Sequence, residues 1–240
     1  MSAPAGIRVE SVVKRYRTAA GAVCAVDGIS LEVAPGTSVA VTGPSGCGKS
    51  TLLGLIGGLE SPTSGRIVVD DREISALSET ELLRLRRERF GFLFQADNLL
   101  PFLTATENVG LQLSLAGRGG ADDVVGPRAL LGALGLAEHL DKLPDQLSGG
   151  QRQRVGVARA LVHRPGVILA DEPTGELDAA SSAEVVEVIL AARAEVGATL
   201  VLVTHDPGVA ERMDRIVTLR DGRLLEGAPA RRRRGARARL

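Results

Sequence analysis

The densest chemistry in the sequence lies in the run Gly43-Pro44-Ser45-Gly46-Cys47-Gly48-Lys49-Ser50-Thr51. A Gly, four residues and then Gly-Lys-Ser is the pattern of a phosphate-binding loop. Glycines let successive backbone N–H groups curl around phosphate oxygens, and the following helix offers its positive N-terminus. Lys49 would then bridge the terminal phosphates, Ser50 would place its hydroxyl on Mg²⁺, and Thr51 is the next hydroxyl within reach. A flexible glycine turn has no need of Lys-Ser-Thr opening an apolar helix.

Two strand ends add acid–base groups. Val167-Ile168-Leu169-Ala170 reads as a buried parallel strand closed by Asp171-Glu172, where open α/β sheets place their chemistry. Asp171 suits a Mg²⁺ shell and Glu172 a base that polarises water; the alternative is a pair of helix-capping acids. His205 ends the strand at residues 199–204 and is the histidine best placed to meet a γ-phosphate, whereas His139 and His163 read as helical surface residues without a role. In Leu147-Ser148-Gly149-Gly150-Gln151, Ser148 is an N-cap and the two glycines expose N–H groups. That is either a plain cap or a second anion site, reaching a nucleotide from another side or another copy of the chain. Gln95, at the end of an apolar strand, would coordinate Mg²⁺ or orient water, or else is an ordinary strand-end polar residue. Tyr16, the one tyrosine of the chain, would stack on a base or was selected for strand propensity.

The elements that must position these groups are legible from period and punctuation. Strands are expected at residues 7–16, 29–33, 38–42, 66–69, 90–94, 167–170 and 199–204, with a hairpin at 215–226 turning on Asp221-Gly222. Helices are expected after the phosphate loop, at 78–89 with Ser78 and Glu81 at capping-box spacing, and at 107–116, 128–134, 148–163 and 179–195. The stretch from Asn98 to Leu103 carries more apolar residues than a free loop should. It is a partner surface, or it is buried against its own lobe.

Bulk properties narrow the class. With 240 residues, 44% hydrophobic and 24% charged, the chain can bury a full core. No run approaches a membrane span and no signal-like segment opens the chain, so a cytosolic protein is expected. Cys24 and Cys47 are too few for a disulfide framework. The formal charge is zero, yet the last ten residues hold six Arg and no acid, leaving the body six charges negative. No basic stripe interleaved with aromatics precedes that tail, so no nucleic-acid partner is expected.

Together these motifs resemble the nucleotide-binding domain of the ATP-binding cassette (ABC) family over about residues 7–227. The carriers are Tyr16, the P-loop at 43–51, Gln95, LSGGQ at 147–151, VILADEP at 167–173, Asp178 and His205. The resemblance implies an α/β P-loop NTPase with an antiparallel β lobe, a mostly parallel RecA-like core sheet and an inserted α-helical subdomain. It places one ABC ATPase domain at residues 1–228, with 1–94 and 161–228 forming the β lobe and core, 95–160 the helical signature subdomain, and 229–240 a basic tail. It also assigns roles. Tyr16 stacks on adenine, Lys49 binds β- and γ-phosphates, Ser50 and Gln95 ligate Mg²⁺, Asp171 supports Mg²⁺ through water, and Glu172 polarises the attacking water. Ser148 and Gly150, with Gly149 and Gln151 in the same loop, meet the ATP of an opposite subunit, Asp178 passes between the sites, and His205 contacts the γ-phosphate.

Residues 95–109 and 169–178 look like the subgroup of lipoprotein-releasing, macrolide-efflux, antimicrobial-peptide-export and cell-division ATPases, except that Glu176 stands where the subgroup usually has Asn. The implied protein is an ATP-hydrolysing subunit that closes as a head-to-tail homodimer around two ATP and drives a separate membrane permease from the inner face of the membrane. The alternative within the same subgroup is an ATP-gated interaction protein that signals through a membrane partner without transport.

Overall fold

Apolar runs, alternating in the antiparallel strands and continuous in the parallel ones, build two sheets that share one buried interior. The computed structural model describes residues 5–19, 21–94, 98–117, 126–175 and 179–225. Along the chain come β1 (Ile7–Thr18), β2 (Gly21–Val33), β3 (Ser38–Thr42), α1 (Lys49–Ile56), β4 (Ser64–Val69), β5 (Arg72–Glu73), α2 (Glu79–Arg89) and β6 (Phe90–Leu93). There follow α3 (Ala105–Leu115), α4 (Pro127–Ala133), α5 (Gly149–Leu161), β7 (Val167–Asp171), α6 (Ala179–Val196), β8 (Thr199–Val203), α7 (Pro207–Ala210), β9 (Arg215–Arg220) and β10 (Arg223–Leu225). One sheet is antiparallel in the order β2-β1-β4-β5, and the other runs β10-β9-β3-β8-β7-β6. In the second sheet β9, β3, β8, β7 and β6 are parallel and only β10 is antiparallel.

The parallel strands are apolar on both faces because both are covered. Val39, Val41, Leu169, Val201 and Val203 point into a core shared with Leu52, Leu55 and Ile56 of α1 and with Val9 and Ile29 of the antiparallel sheet. The alternate residues Ala40, Ile168, Ala170, Leu200 and Leu202 point the other way, onto Val157 and Leu161 of α5 and Val185, Val186 and Ile189 of α6. A third core joins Val109 and Leu113 of α3, Leu131 of α4 and Val155 and Ala158 of α5. One helix, α5, therefore walls both the core sheet and the helical cluster.

The strand expected at 29–33 begins eight residues earlier, at Gly21. Its first half is exposed and small, without alternation, and forms by pairing along β1 through to Thr18 opposite Gly21. The capping box at Ser78 and Glu81 forms as its spacing requires. In the apolar stretch at 98–103, fully buried Asn108 acts as a staple. Its amide donates to the carbonyls of Leu100 at 3.2 Å, Leu103 at 2.8 Å and Thr104 at 3.1 Å, and its carbonyl accepts from the Leu100 amide at 2.8 Å. The turn so formed leaves Phe102 72% exposed.

The start of β3 is clasped to the chain just before β9. Asp214 accepts from the amide and the hydroxyl of Ser38, each at 2.8 Å, and from Arg193 at 3.4 Å. Burial pushes this carboxyl up, but the Ser38 donors and Arg193 pull it further down, to below the usual carboxylate value. A carboxyl depressed in the fold contributes stability above its unfolded pKa and loses it as the pH falls through the folded pKa. Asp214→Asn should therefore lower the melting temperature at pH 7, and the gap from wild type should close below about pH 4, the ordinary carboxylate range. Parallel melting curves from pH 7 to 3 check this; a constant gap at every pH would contradict it.

Candidate active site

The strand β3 delivers the chain into residues 43–48, and α1 leaves from Lys49. The loop is gripped from below. A Cβ on Gly43 (φ 143°) would lie 2.2 Å from the Leu219 carbonyl oxygen of β9, and one on Gly48 (φ 103°) 2.1 Å from the Ala25 carbonyl oxygen of β2. No L side chain fits either position. Buried Cys47 packs beneath the loop, and its carbonyl accepts from Gly222 at 3.1 Å, so the β9–β10 turn braces it. Pro44, Ser45 and Gly46 face outward, with nothing within 4 Å of a Cβ built on Gly46. Among the described residues, no side chain caps the first amides of α1, which leaves them for an anion. Lys49 is 7% exposed and its ammonium donates to the carbonyls of Gly43 at 2.9 Å and Pro44 at 3.0 Å, so a positive charge stands inside the cradle.

The acids arrive from β7, between β6 and β8. Asp171 is half-buried beside Ser50; burial raises its carboxyl above the usual value, against the pull of the Ser50 hydroxyl, with the Glu172 charge raising it further and Lys49 lowering it. Ser50 and Asp171 offer hydroxyl and carboxylate oxygens, the hard donors that suit Mg²⁺. Glu172 takes φ 45°, the left-handed region that costs a residue with a Cβ energy. Its amide donates to the Val203 carbonyl at 3.0 Å and its own carbonyl accepts from Gly175 at 3.0 Å, which holds that conformation. The carboxylate meets His205 Nδ1 at 3.0 Å, across a cleft of about 250 Å³ that Gly175, Thr204 and Asp206 also line. A larger cleft, about 630 Å³ between β2 and the β9–β10 hairpin, holds none of these groups.

Ser148 caps α5: its hydroxyl oxygen accepts from the Gln151 amide at 3.3 Å, and Gln151 Oε1 accepts from the Ser148 amide at 2.8 Å. The hydroxyl proton remains free to donate, Ser148 is exposed, and Gly150 has open space beyond its Cα. This corner belongs to the helical core, whereas the cradle belongs to the sheet core. Tyr16 lies on β1 with its hydroxyl on Glu60 and beside Thr51 on α1. The structure thus sets Tyr16 beside Thr51, Asp171 beside Ser50 and Lys49, and His205 on Glu172, the neighbour of Asp171 at the end of β7. Gln95, Asp178 and Glu176 lie outside the described residues.

Two histidines require correction. His163 is 1% exposed, not on a surface, and pairs with the Phe90 carbonyl at 2.9 Å. His139 is half-buried in a 3₁₀ turn with Nε2 2.9 Å from the Gln151 side-chain nitrogen, so it supports the cap of α5. Since Gln151 donates there, His139 Nε2 accepts. Twelve residues separate the pair, and no local signal links them.

The family model described as "ABC transporter" matches residues 26–175. The chain belongs to the ABC transporter family. It is an ATPase of that family, with the antiparallel lobe and the mixed, mostly parallel core sheet of its nucleotide-binding domains. It is 45% identical to the lipoprotein-releasing system ATP-binding protein LolD of Xanthomonas oryzae pv. oryzae, covering 95% of this chain and 93% of that one. It is 48% identical to the macrolide export ATP-binding/permease protein MacB of Syntrophobacter fumaroxidans over 90% of its length, but spans only 30% of that longer protein. Among solved structures, the dimeric ATP-binding cassette MJ0796 in a post-hydrolysis state with ADP and Pi superposes with a TM-score of 0.83 at 39% identity, covering 94% of this chain and 99% of that one. Among the described residues, no helix is long and apolar enough to cross a membrane.

Proposed function

We propose that this ABC ATPase powers a separate membrane permease of the lipoprotein-release or efflux type, working at the inner face of the membrane. The observation that carries the reading is the meeting of a lysine-filled phosphate cradle with Asp171, Glu172 and His205 at the carboxyl ends of β7 and β8. Phosphoryl transfer needs positioning and charge neutralisation more than covalent help from the protein, and these groups supply both. Lys49 leaves its loop carbonyls for the β- and γ-phosphates, and the free amides of α1 hold the phosphate chain. Glu172 takes a proton from the attacking water, and His205, paired with it, meets the γ-phosphate. Tyr16 stacks on the adenine. Mg²⁺, held through Ser50 and Gln95 with Asp171 behind, would neutralise charge on the β- and γ-phosphates.

The exposed Ser148 hydroxyl and Gly150 meet the ATP of a second copy of the chain, as the likeness to a dimeric cassette supports, with Asp178 between the two sites. One ATPase domain spans 1–228, its helical signature part at 95–160, and 229–240 is a basic tail. A groove of about 340 Å³ lined by Phe92, Phe94, Leu100, Leu111 and Leu115, with Phe102 exposed nearby, is the docking place for a permease helix. Phe102→Asp is expected to cut the share of chain that sediments with membranes of the source cells by about tenfold, while basal ATP turnover stays within about twofold of wild type. Equal sedimentation of both proteins would overturn the docking assignment, and no sedimentation of wild type would overturn the permease partner.

A further inference from the structure

The hydroxyl of Tyr16 donates to Glu60, and the same carboxylate oxygen takes the ammonium of Lys14 at 3.0 Å. Lys14 also donates to the Ser61 carbonyl at 2.8 Å, and its nitrogen stands 5.0 Å from the centroid of the Tyr16 ring. Thr51 of α1 reaches the same phenol. Glu60 is itself held where α1 ends, its amide donating to the Gly54 carbonyl at 3.4 Å. A tyrosine kept for strand propensity needs none of this. A ring on a strand surface turns about its side-chain torsions; here a charge-assisted hydrogen bond fixes its tip and a cation covers one face.

We propose that Glu60 is a positioning residue for the nucleotide base: with Lys14 it fixes the Tyr16 ring as a rigid wall, one face covered and the other offered to adenine. The inference rests on the ATP-site reading above. It accounts for a carboxylate standing beside a site that binds an anion, since Glu60 is neutralised by Lys14 and points at a phenol. Burial and the Glu60 contact also push the phenol up from its ordinary pKa, against Thr51. Holding the ring in its stacking pose lowers the ordering cost of base binding without adding a contact to the base.

The chain holds one Tyr and no Trp, so Tyr16 is its own optical probe. The affinities of ADP and of inorganic tripolyphosphate, which has no base, are compared in wild type, Tyr16→Ala, Glu60→Ala and Glu60→Gln, and phenol ionisation is followed by ultraviolet difference absorbance. Glu60→Ala is expected to weaken ADP about three- to tenfold, leave tripolyphosphate unchanged, and let the phenol ionise at lower pH. Glu60→Gln, which keeps an acceptor oxygen for the phenol, should restore most of the ADP affinity. If Glu60→Ala leaves ADP unchanged while Tyr16→Ala weakens it, the positioning role falls and the ATP-site reading stands. If Glu60→Ala weakens ADP and tripolyphosphate alike, Glu60 acts through the fold of the cradle and the proposal falls. If Tyr16→Ala leaves ADP unchanged, Tyr16 is no base platform and the base-site reading falls with it.

Discussion

Glu172→Gln should lower saturated ATP turnover by roughly 10²- to 10⁴-fold, the range that loss of a general base produces, with ATP affinity within about threefold of wild type. Glutamine matches the size of glutamate and keeps polar atoms toward His205, now 3.0 Å from the carboxylate. It adds no new strain at φ 45°, because the backbone there is held by Val203 and Gly175. What it loses is the negative charge that we propose draws a proton from water. In the proposed site, nucleotide is bound by Lys49 and the amides of α1, neither of which depends on that charge. A subunit that binds ATP but cannot split it should accumulate as an ATP-held dimer, seen by light scattering on a sizing column. Turnover within tenfold of wild type would show that another group polarises the water.

Lys49→Ala should weaken ATP on the order of a hundredfold, equivalent to about 2.8 kcal/mol, with little change in the melting temperature without nucleotide. The lysine is buried and, among the described residues, its hydrogen bonds go to the carbonyls of Gly43 and Pro44. Pro44 is exposed, so water can satisfy its carbonyl once the ammonium is gone. The loop itself is held from below through Gly43, Gly48 and the Cys47 carbonyl, and keeps its shape. The loss is then specific to the charge that phosphates need. Calorimetric titration beside a melting curve separates the two effects; affinity within threefold of wild type would remove Lys49 from the site.

What was legible in the sequence was local. The phosphate loop, the caps at Ser78 and Ser148 and the strand-end acids each depend on residues within a few positions of one another, and backbone geometry follows from such spacing. The first half of β2 was not legible, because its pairing with β1 rather than its own pattern makes it a strand. Long-range partners escaped for the same reason. Tyr16 meets Glu60 44 residues away, His163 meets Phe90 73 away, and Ser50 meets Asp171 only because β3 and β7 flank β8. Asn108 falls within the helix expected at 107–116, and only the folded turn reveals the carbonyls it collects.

A site shared between two copies, as proposed, takes its cradle from one and its Ser148 corner from the other. Lys49→Ala and Ser148→Arg each disable both sites of their own homodimer, so each purified variant should show under about one hundredth of wild-type turnover. A mixed dimer places the intact cradle of the Ser148→Arg chain against the intact Ser148 corner of the Lys49→Ala chain, restoring one of two sites. The measurement is ATP turnover of the equimolar mixture, with mixed dimers counted through two different affinity tags. A shared site should give recovery to a clear fraction of wild type, rising with the share of mixed dimer. Mixed dimers that form and remain as inactive as either parent would contradict the shared site.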